Sequence, residues 1–136
     1  MTQRVRPLGR APKGTGKMPS MTEREKIHRL FKDFERGGFA ARNRFVRAAT
    51  WLGCCAHETG ELTQAAVSRT AEAAAGGAGT VVSEFAYVGR EGRAATRQWG
   101  LDCDRSAGEV RRLADAVHER GSKLIVQLCH AGGALN

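Results

Sequence analysis

Three short segments constrain this chain more than anything else in it. They are N-R-F-V-R-A-A-T-W at Asn43–Trp51, G-A-G-T-V-V-S-E-F-A-Y-V at Gly77–Val88 and S-K-L-I-V-Q-L-C-H-A-G at Ser122–Gly132. Each reads as a strand that ends in polar or small residues, and a helix-forming stretch separates each from the next. The two later segments carry near-continuous β-branched and apolar runs, as strands do when both faces of a parallel sheet are covered. The alternation β-α-β-α-β dictates parallel strands joined by crossovers. Pattern alone fits either an open doubly wound sheet or part of a closed barrel.

The helices between them are bounded by local chemistry. Thr63 is placed to cap a helix over about Gln64–Ala75, and Gly76-Gly77 stops it. Its alanines favour helix, but its apolar stripe (Val67, Ala71, Ala74) is thin and needs a close-packed partner. Ser106 and Glu109 match the S-x-x-E capping box. Val110, Leu113 and Val117 follow at helical spacing, and Gly121 ends the helix. The strands are expected at Arg44–Thr50, Thr80–Phe85 and Lys123–Cys129. Tyr87–Asp104 reads as a long polar loop of the functional kind, and Ile27–Arg42 as a short hairpin or irregular lead-in.

Charge divides the chain. The net charge is +8 over 136 residues, and Met1–Lys26 holds seven basic residues against Glu23 and Glu25. This predicts a disordered basic arm over residues 1–26, since few of its residues can offset the entropy of ordering. Such an arm can bind phosphate backbones, so a small nucleic-acid-binding protein is an alternative reading. The arm has no aromatic residue for base stacking. No apolar run approaches the roughly 20 residues that span a bilayer, and no signal peptide is evident. The expectation is a cytoplasmic chain whose four cysteines (Cys54, Cys55, Cys103, Cys129) are reduced. Cys54, Cys55 and His57 do not match a zinc or iron–sulfur spacing, so no metal is expected.

The stretch L-F-K-D-F-E-R-G-G-F-A-A-R-N-R-F-V-R-A-A-T-W, followed by G-G-A-G-T-V-V-S-E, E-G-R and D-A-V-H-E-R-G-S-K-L-I-V-Q-L-C-H-A-G, resembles the N-terminal part of the Old Yellow Enzyme family. Its members are FMN-dependent NAD(P)H:flavin oxidoreductases, or ene-reductases. The similarity runs from about Leu30 to Gly133, and it is the ordered combination that is specific. It implies an α/β fold, with residues 27–136 forming about three β/α units of an FMN-binding TIM (β/α)8 barrel. The implied activity is hydride transfer from NAD(P)H via FMN to an activated alkene.

The resemblance also implies roles for particular positions. Ala48, Ala49 and Thr50 fall where the first strand end packs against the flavin through backbone groups. Phe85 falls where a small residue usually offers its backbone N–H to the flavin carbonyl edge. Gln127 falls on the glutamine that bonds the pyrimidine edge. An amide carries both a donor and an acceptor, which suits that edge, and a buried glutamine needs partners. Trp51, where many members carry Thr or Cys, and Phe85 itself depart from the common pattern. His130 is not the family's substrate-binding histidine. That residue, the proton donor and the phosphate-binding loops belong to segments beyond Asn136, so no residue here is assigned a catalytic role. Three strands do not close an eight-stranded barrel. The expectation is therefore a fragment, a loose layer with little or no catalysis alone. A third reading is a half-barrel that assembles with itself or with a complementary fragment.

Overall fold

The main strands of the sheet run parallel and in chain order because a helix returns over one face between each and the next. The structure is a computed structural model and describes residues 21–134. Helix α1 (Glu23–Leu30) leads into an antiparallel hairpin of β1 (Phe34–Arg36) and β2 (Phe39–Ala41). The sheet follows, with β3 (Val46–Arg47) beside β4 (Thr80–Tyr87) and β4 beside β6 (Lys123–Cys129), all parallel. A short strand β5 (Trp99–Gly100) lengthens the sheet at the far end of β4. Helices α2 (Gln64–Ala75) and α3 (Ser106–His118) cover one face.

The apolar core lies between those helices and the sheet. Ala66 and Val67 of α2 meet Leu113 of α3 over Ala86 of β4, with Cys55, Leu62 and Trp99 closing the top. A second cluster joins Ala74, Val81 and Val117 nearer the start of the strands. The thin stripe of α2 is thus answered by α3. Arg42 adds a polar tie beneath, its guanidinium donating to Ala74 O (2.6 Å), Ala78 O (3.1 Å) and Ser122 Oγ (3.2 Å).

One irregularity decides which side chains face where. Val82 pairs with Ile125 and Phe85 with Gln127, so β4 spends Ser83 and Glu84 where β6 spends only Val126. This is a β-bulge, and one extra residue inverts the in–out alternation beyond it. Val82 and Phe85 therefore share the face turned away from the helices, beside Ile125 and Gln127. Glu84 and Ala86 turn toward the helix layer instead.

Several elements differ from expectation. Residues 1–20 of the expected arm lie outside the described residues. Its end is helical, because Thr22 and Glu25 form a full capping box at the start of α1. The S-x-x-E pattern at Ser106 and Glu109 does not cap α3. Arg105 occupies the cap position without a side-chain bond, and Glu109 is buried against Trp99, whose Nε1 donates to it at 2.9 Å. The first strand is shorter than Arg44–Thr50. The polar loop after β4 contains a 3-10 turn at Arg90–Gly92 and the fully buried Trp99. Helix α2 and β6 lie where the sequence places them, and the hairpin falls within Ile27–Arg42, whose first residues Ile27–Leu30 belong instead to α1.

Candidate functional site

The residues singled out from sequence gather at the C-terminal ends of the parallel strands. Ala48–Thr50 continue directly from β3. Their position is fixed just downstream, where Leu52 N–H donates to the Glu84 carboxylate at 3.2 Å. Phe85 and Gln127 are direct partners across β4 and β6. Of these positions Ala49 and Phe85 are half-buried, while Ala48, Thr50 and Gln127 are exposed. The sequence reading placed Gln127 in a buried setting. Its side chain instead stands exposed on the face away from the helices, and its amide has no hydrogen-bond partner among the described residues. Its backbone N–H is held by Ser83 Oγ at 3.1 Å.

The loop between β3 and α2 is organised around a buried carboxylate. Glu84 is 2% exposed. It accepts from Leu52 N–H and from the Cys55 thiol at 3.3 Å. Burial pushes its carboxyl above the ordinary value, and the bonds from Leu52 and Cys55 only partly oppose this. The folded chain therefore binds this proton more readily than the unfolded chain. The group's contribution to stability falls as pH rises from 4.5 through its folded value.

Backbone carbonyls of the same loop are taken up by arginines. Arg93 donates to His57 O and Glu58 O, Arg105 donates to Thr59 O (2.7 Å), and Arg112 reaches Leu62 O. Part of the chain's positive charge is thus committed to internal carbonyls. Gly92 lies under His130, where a Cβ would sit 2.4 Å from the ring, and Ala131 N–H donates to Gly92 O at 2.9 Å. This joins the end of β6 to the loop after β4.

The cysteine cluster disperses on folding. The Cys55 thiol turns to Glu84, the Cys54 thiol to Leu52 O at 3.3 Å, and His57 to the neighbouring Glu58. Among the described residues no group of three or more His, Cys, Asp or Glu side chains is arranged to hold a metal ion. Burial first, and the Glu84 charge second, push the Cys55 thiol far above its usual range. Cys103 is exposed. A thiol-reactive disulfide added to the native chain is expected to modify Cys103 rapidly and Cys55 only on unfolding. Peptide mapping by mass spectrometry checks this; rapid labelling of Cys55 in the folded chain contradicts it.

Sequence reasoning missed Ser83 and Glu84 as organisers of this end of the sheet. The only available signal was a polar pair inside an otherwise apolar strand. Among the described residues no helix is long and apolar enough to cross a membrane.

Comparison with known proteins finds similarity to one family of oxidoreductases. The profile of the NADH:flavin oxidoreductase / NADH oxidase family matches residues 29–136. An NADH:acrylate oxidoreductase from Vibrio harveyi is 36% identical over 99 residues, which is 73% of this chain and 10% of that protein. An NADPH dehydrogenase from Geobacillus sp. (strain WCH70) is 30% identical over 103 residues, 76% of this chain and 30% of that protein. The chain thus spans between a tenth and under a third of the length of these relatives.

Among solved structures, a 2-naphthoyl-CoA reductase in complex with 2-naphthoyl-CoA superposes with a TM-score of 0.74 at 30% identity. The match covers 77% of this chain and 16% of that one. The old yellow enzyme from Trypanosoma cruzi gives 0.71 at 25% identity, over 80% of this chain and 29% of that one. Sequential parallel strands with both helices on one face are common to barrels and to half of a doubly wound sheet. These neighbours are TIM barrels and decide between the two.

Proposed function

Because this chain belongs to the NADH:flavin oxidoreductase / NADH oxidase family, to which the Old Yellow Enzymes belong, we propose that it forms one rim of an FMN site. The reaction it serves is NAD(P)H-dependent reduction of an activated alkene. The observation that carries this reading is the pairing of Phe85 with Gln127 at the strand ends, with the segment after Ala48–Thr50 tied to the neighbouring Glu84 through Leu52. A barrel active site is built at this end of its strands.

The residues suit the group chemically. The Gln127 amide presents two N–H donors and a carbonyl acceptor that are not used among the described residues. The flavin pyrimidine edge offers the complementary set. Phe85 contributes a backbone N–H and an aromatic wall, and the backbone of Ala48–Thr50 supplies further donors and acceptors without a bulky side chain, up to Trp51. Bound FMN would supply the redox chemistry, taking hydride from NAD(P)H and delivering it to an electron-poor carbon. The chain's own residues bind and orient: Gln127 reads the edge of the ring, Phe85 walls it, and the turn after β3 supports it.

The purified polypeptide should therefore bind FMN saturably, with a shifted visible spectrum and quenched fluorescence. It should turn over little by itself, because no residue described here is placed to polarise a substrate. Gln127→Leu is expected to weaken FMN binding about tenfold or more, since hydrogen bonds to a ligand contribute roughly 1–1.5 kcal/mol each. A wild-type titration that shows no bound FMN would sink the reading, and so would a Gln127→Leu variant with unchanged affinity.

A further inference from the structure

We propose that the Ser83–Glu84 bulge positions both segments of the candidate flavin rim, the Ser83 hydroxyl holding Gln127 and the Glu84 carboxylate holding the turn that follows Ala48–Thr50. The proposal rests on the flavin reading for what the rim binds. The positioning itself is a property of the chain.

The inference begins with parity. In an uninterrupted strand, Glu84 would share the face of Val82, and Phe85 would turn into the helix layer. The extra residue exchanges them. Phe85 moves to the open face beside Gln127, and Glu84 moves to the covered side, where the β3–α2 loop passes. One backbone irregularity thus decides the orientation of two groups with different tasks.

Each residue of the bulge then makes a bond that the regular ladder does not supply. A bulge interrupts the ladder and leaves backbone groups to be satisfied elsewhere. The Gln127 N–H is met by Ser83 Oγ at 3.1 Å, and the same hydroxyl donates to Glu84 O at 2.7 Å. Ser83 is only 1% exposed, so water does not readily take its place. Glu84 uses one carboxylate oxygen for Leu52 N–H and the other for the Cys55 thiol. Leu52 lies two residues past Thr50. Holding it against β4 fixes the path of the preceding turn. The charged and titratable groups that act on Glu84 are the Cys55 thiol and, from β3, Arg47. Both the serine and the glutamate are buried, so they act through the residues they hold.

The test compares near-isosteric pairs in the full chain without flavin, by amide hydrogen exchange resolved at Gln127 and Leu52. Ser83→Val is expected to speed exchange at the Gln127 amide about tenfold, while Ser83→Thr, which keeps the hydroxyl, leaves it slow. Glu84→Met is expected to release the Leu52 amide similarly, and Glu84→Gln, which keeps an acceptor, to retain it. Folding of Ser83→Thr but not Ser83→Val also supports the role of the hydroxyl. If neither folds, the Glu84 pair decides. Wild-type exchange at Gln127 in Ser83→Val, or at Leu52 in Glu84→Met, overturns the proposal. An FMN titration of the same samples separates the two ideas. Absence of FMN binding to the wild type, with the exchange pattern intact, removes the flavin reading and leaves the positioning role standing.

Discussion

Trp99→Ala is expected to be the most damaging single replacement in the described core. The indole is fully buried among Cys55, Leu62, Ala66, Val67, Ala86 and Leu113. Truncating a buried Trp costs about 3–5 kcal/mol, and a native domain has only about 5–15 in all. The change also strips Glu109 of the Nε1–H donor at 2.9 Å and leaves that 7%-exposed carboxylate with Arg105 alone. Thermal unfolding followed by circular dichroism should show a midpoint lowered by roughly 10–20 °C, or no cooperative transition at all. Trp99→Phe retains most of the buried area and loses the N–H, so its cost should be nearer 1–2 kcal/mol. A Trp99→Ala midpoint within a few degrees of wild type would mean that the loop after β4 is not anchored through this side chain.

Trp99 also marks where sequence reading stopped. The stretch from Tyr87 to Asp104 looks polar, and a lone Trp within it carries no periodicity. It becomes core because β5 pairs with the end of β4 and turns the ring beneath α3. By contrast, α2 and β6 were legible to their ends. Thr63 caps α2, its side chain accepting from Ala66 N–H at 3.3 Å, and alanines carry the helix to Gly76. Gly121, in the left-handed region at φ 73°, turns the chain into β6. In these cases local propensity and tertiary packing ask for the same structure.

The two capping-box patterns show what happens when they do not. Thr22-x-x-Glu25 and Ser106-x-x-Glu109 are equivalent as strings. The first forms because Glu25 is exposed and, among the described residues, no other partner calls on it. The second fails because Trp99 and Arg105 claim the Glu109 carboxylate. A four-residue window does not contain that competition.

The candidate site was legible in the same partial way. Family resemblance brought Ala48–Thr50, Phe85 and Gln127 forward, and the parallel ladder sets Phe85 and Gln127 side by side. It did not reveal the bulge that makes the Phe85–Gln127 pairing possible. Two polar residues within a strand look like ordinary alternation until the register is known. Nor did it reveal the exposure of Gln127, which depends on what covers the open face of the sheet rather than on the strand that carries it.

Gly79→Ala is the second large effect, and it tests whether the site depends on β3. A Cβ at Gly79 would lie 2.5 Å from Asn43 Oδ1 and 2.6 Å from the Asn43 backbone oxygen. The side-chain atom can move, at the expense of its bond from Phe45 N–H at 3.0 Å. The backbone oxygen cannot move without displacing β3, which has only two residues in the ladder. Gly79 also donates to Phe45 O at 3.0 Å and accepts from Lys123 N–H at 2.9 Å, so it joins the first strands of the sheet to the third at their common start. The cost of such overpacking is about 3 kcal/mol, the upper part of the usual range, because backbone and not a flexible side chain must yield. Gly108→Ala supplies the opposite sign: it lies within α3, a Cβ there meets nothing within 4 Å, and helix propensity favours alanine by about 0.5–1 kcal/mol. Urea denaturation of the two variants should move the midpoints in opposite directions. Displacing β3 should also carry Ala48–Thr50 away from β4, so FMN affinity should fall in Gly79→Ala under conditions where it remains folded and hold in Gly108→Ala. Equal FMN affinity in the two would disconnect the turn after β3 from the flavin site.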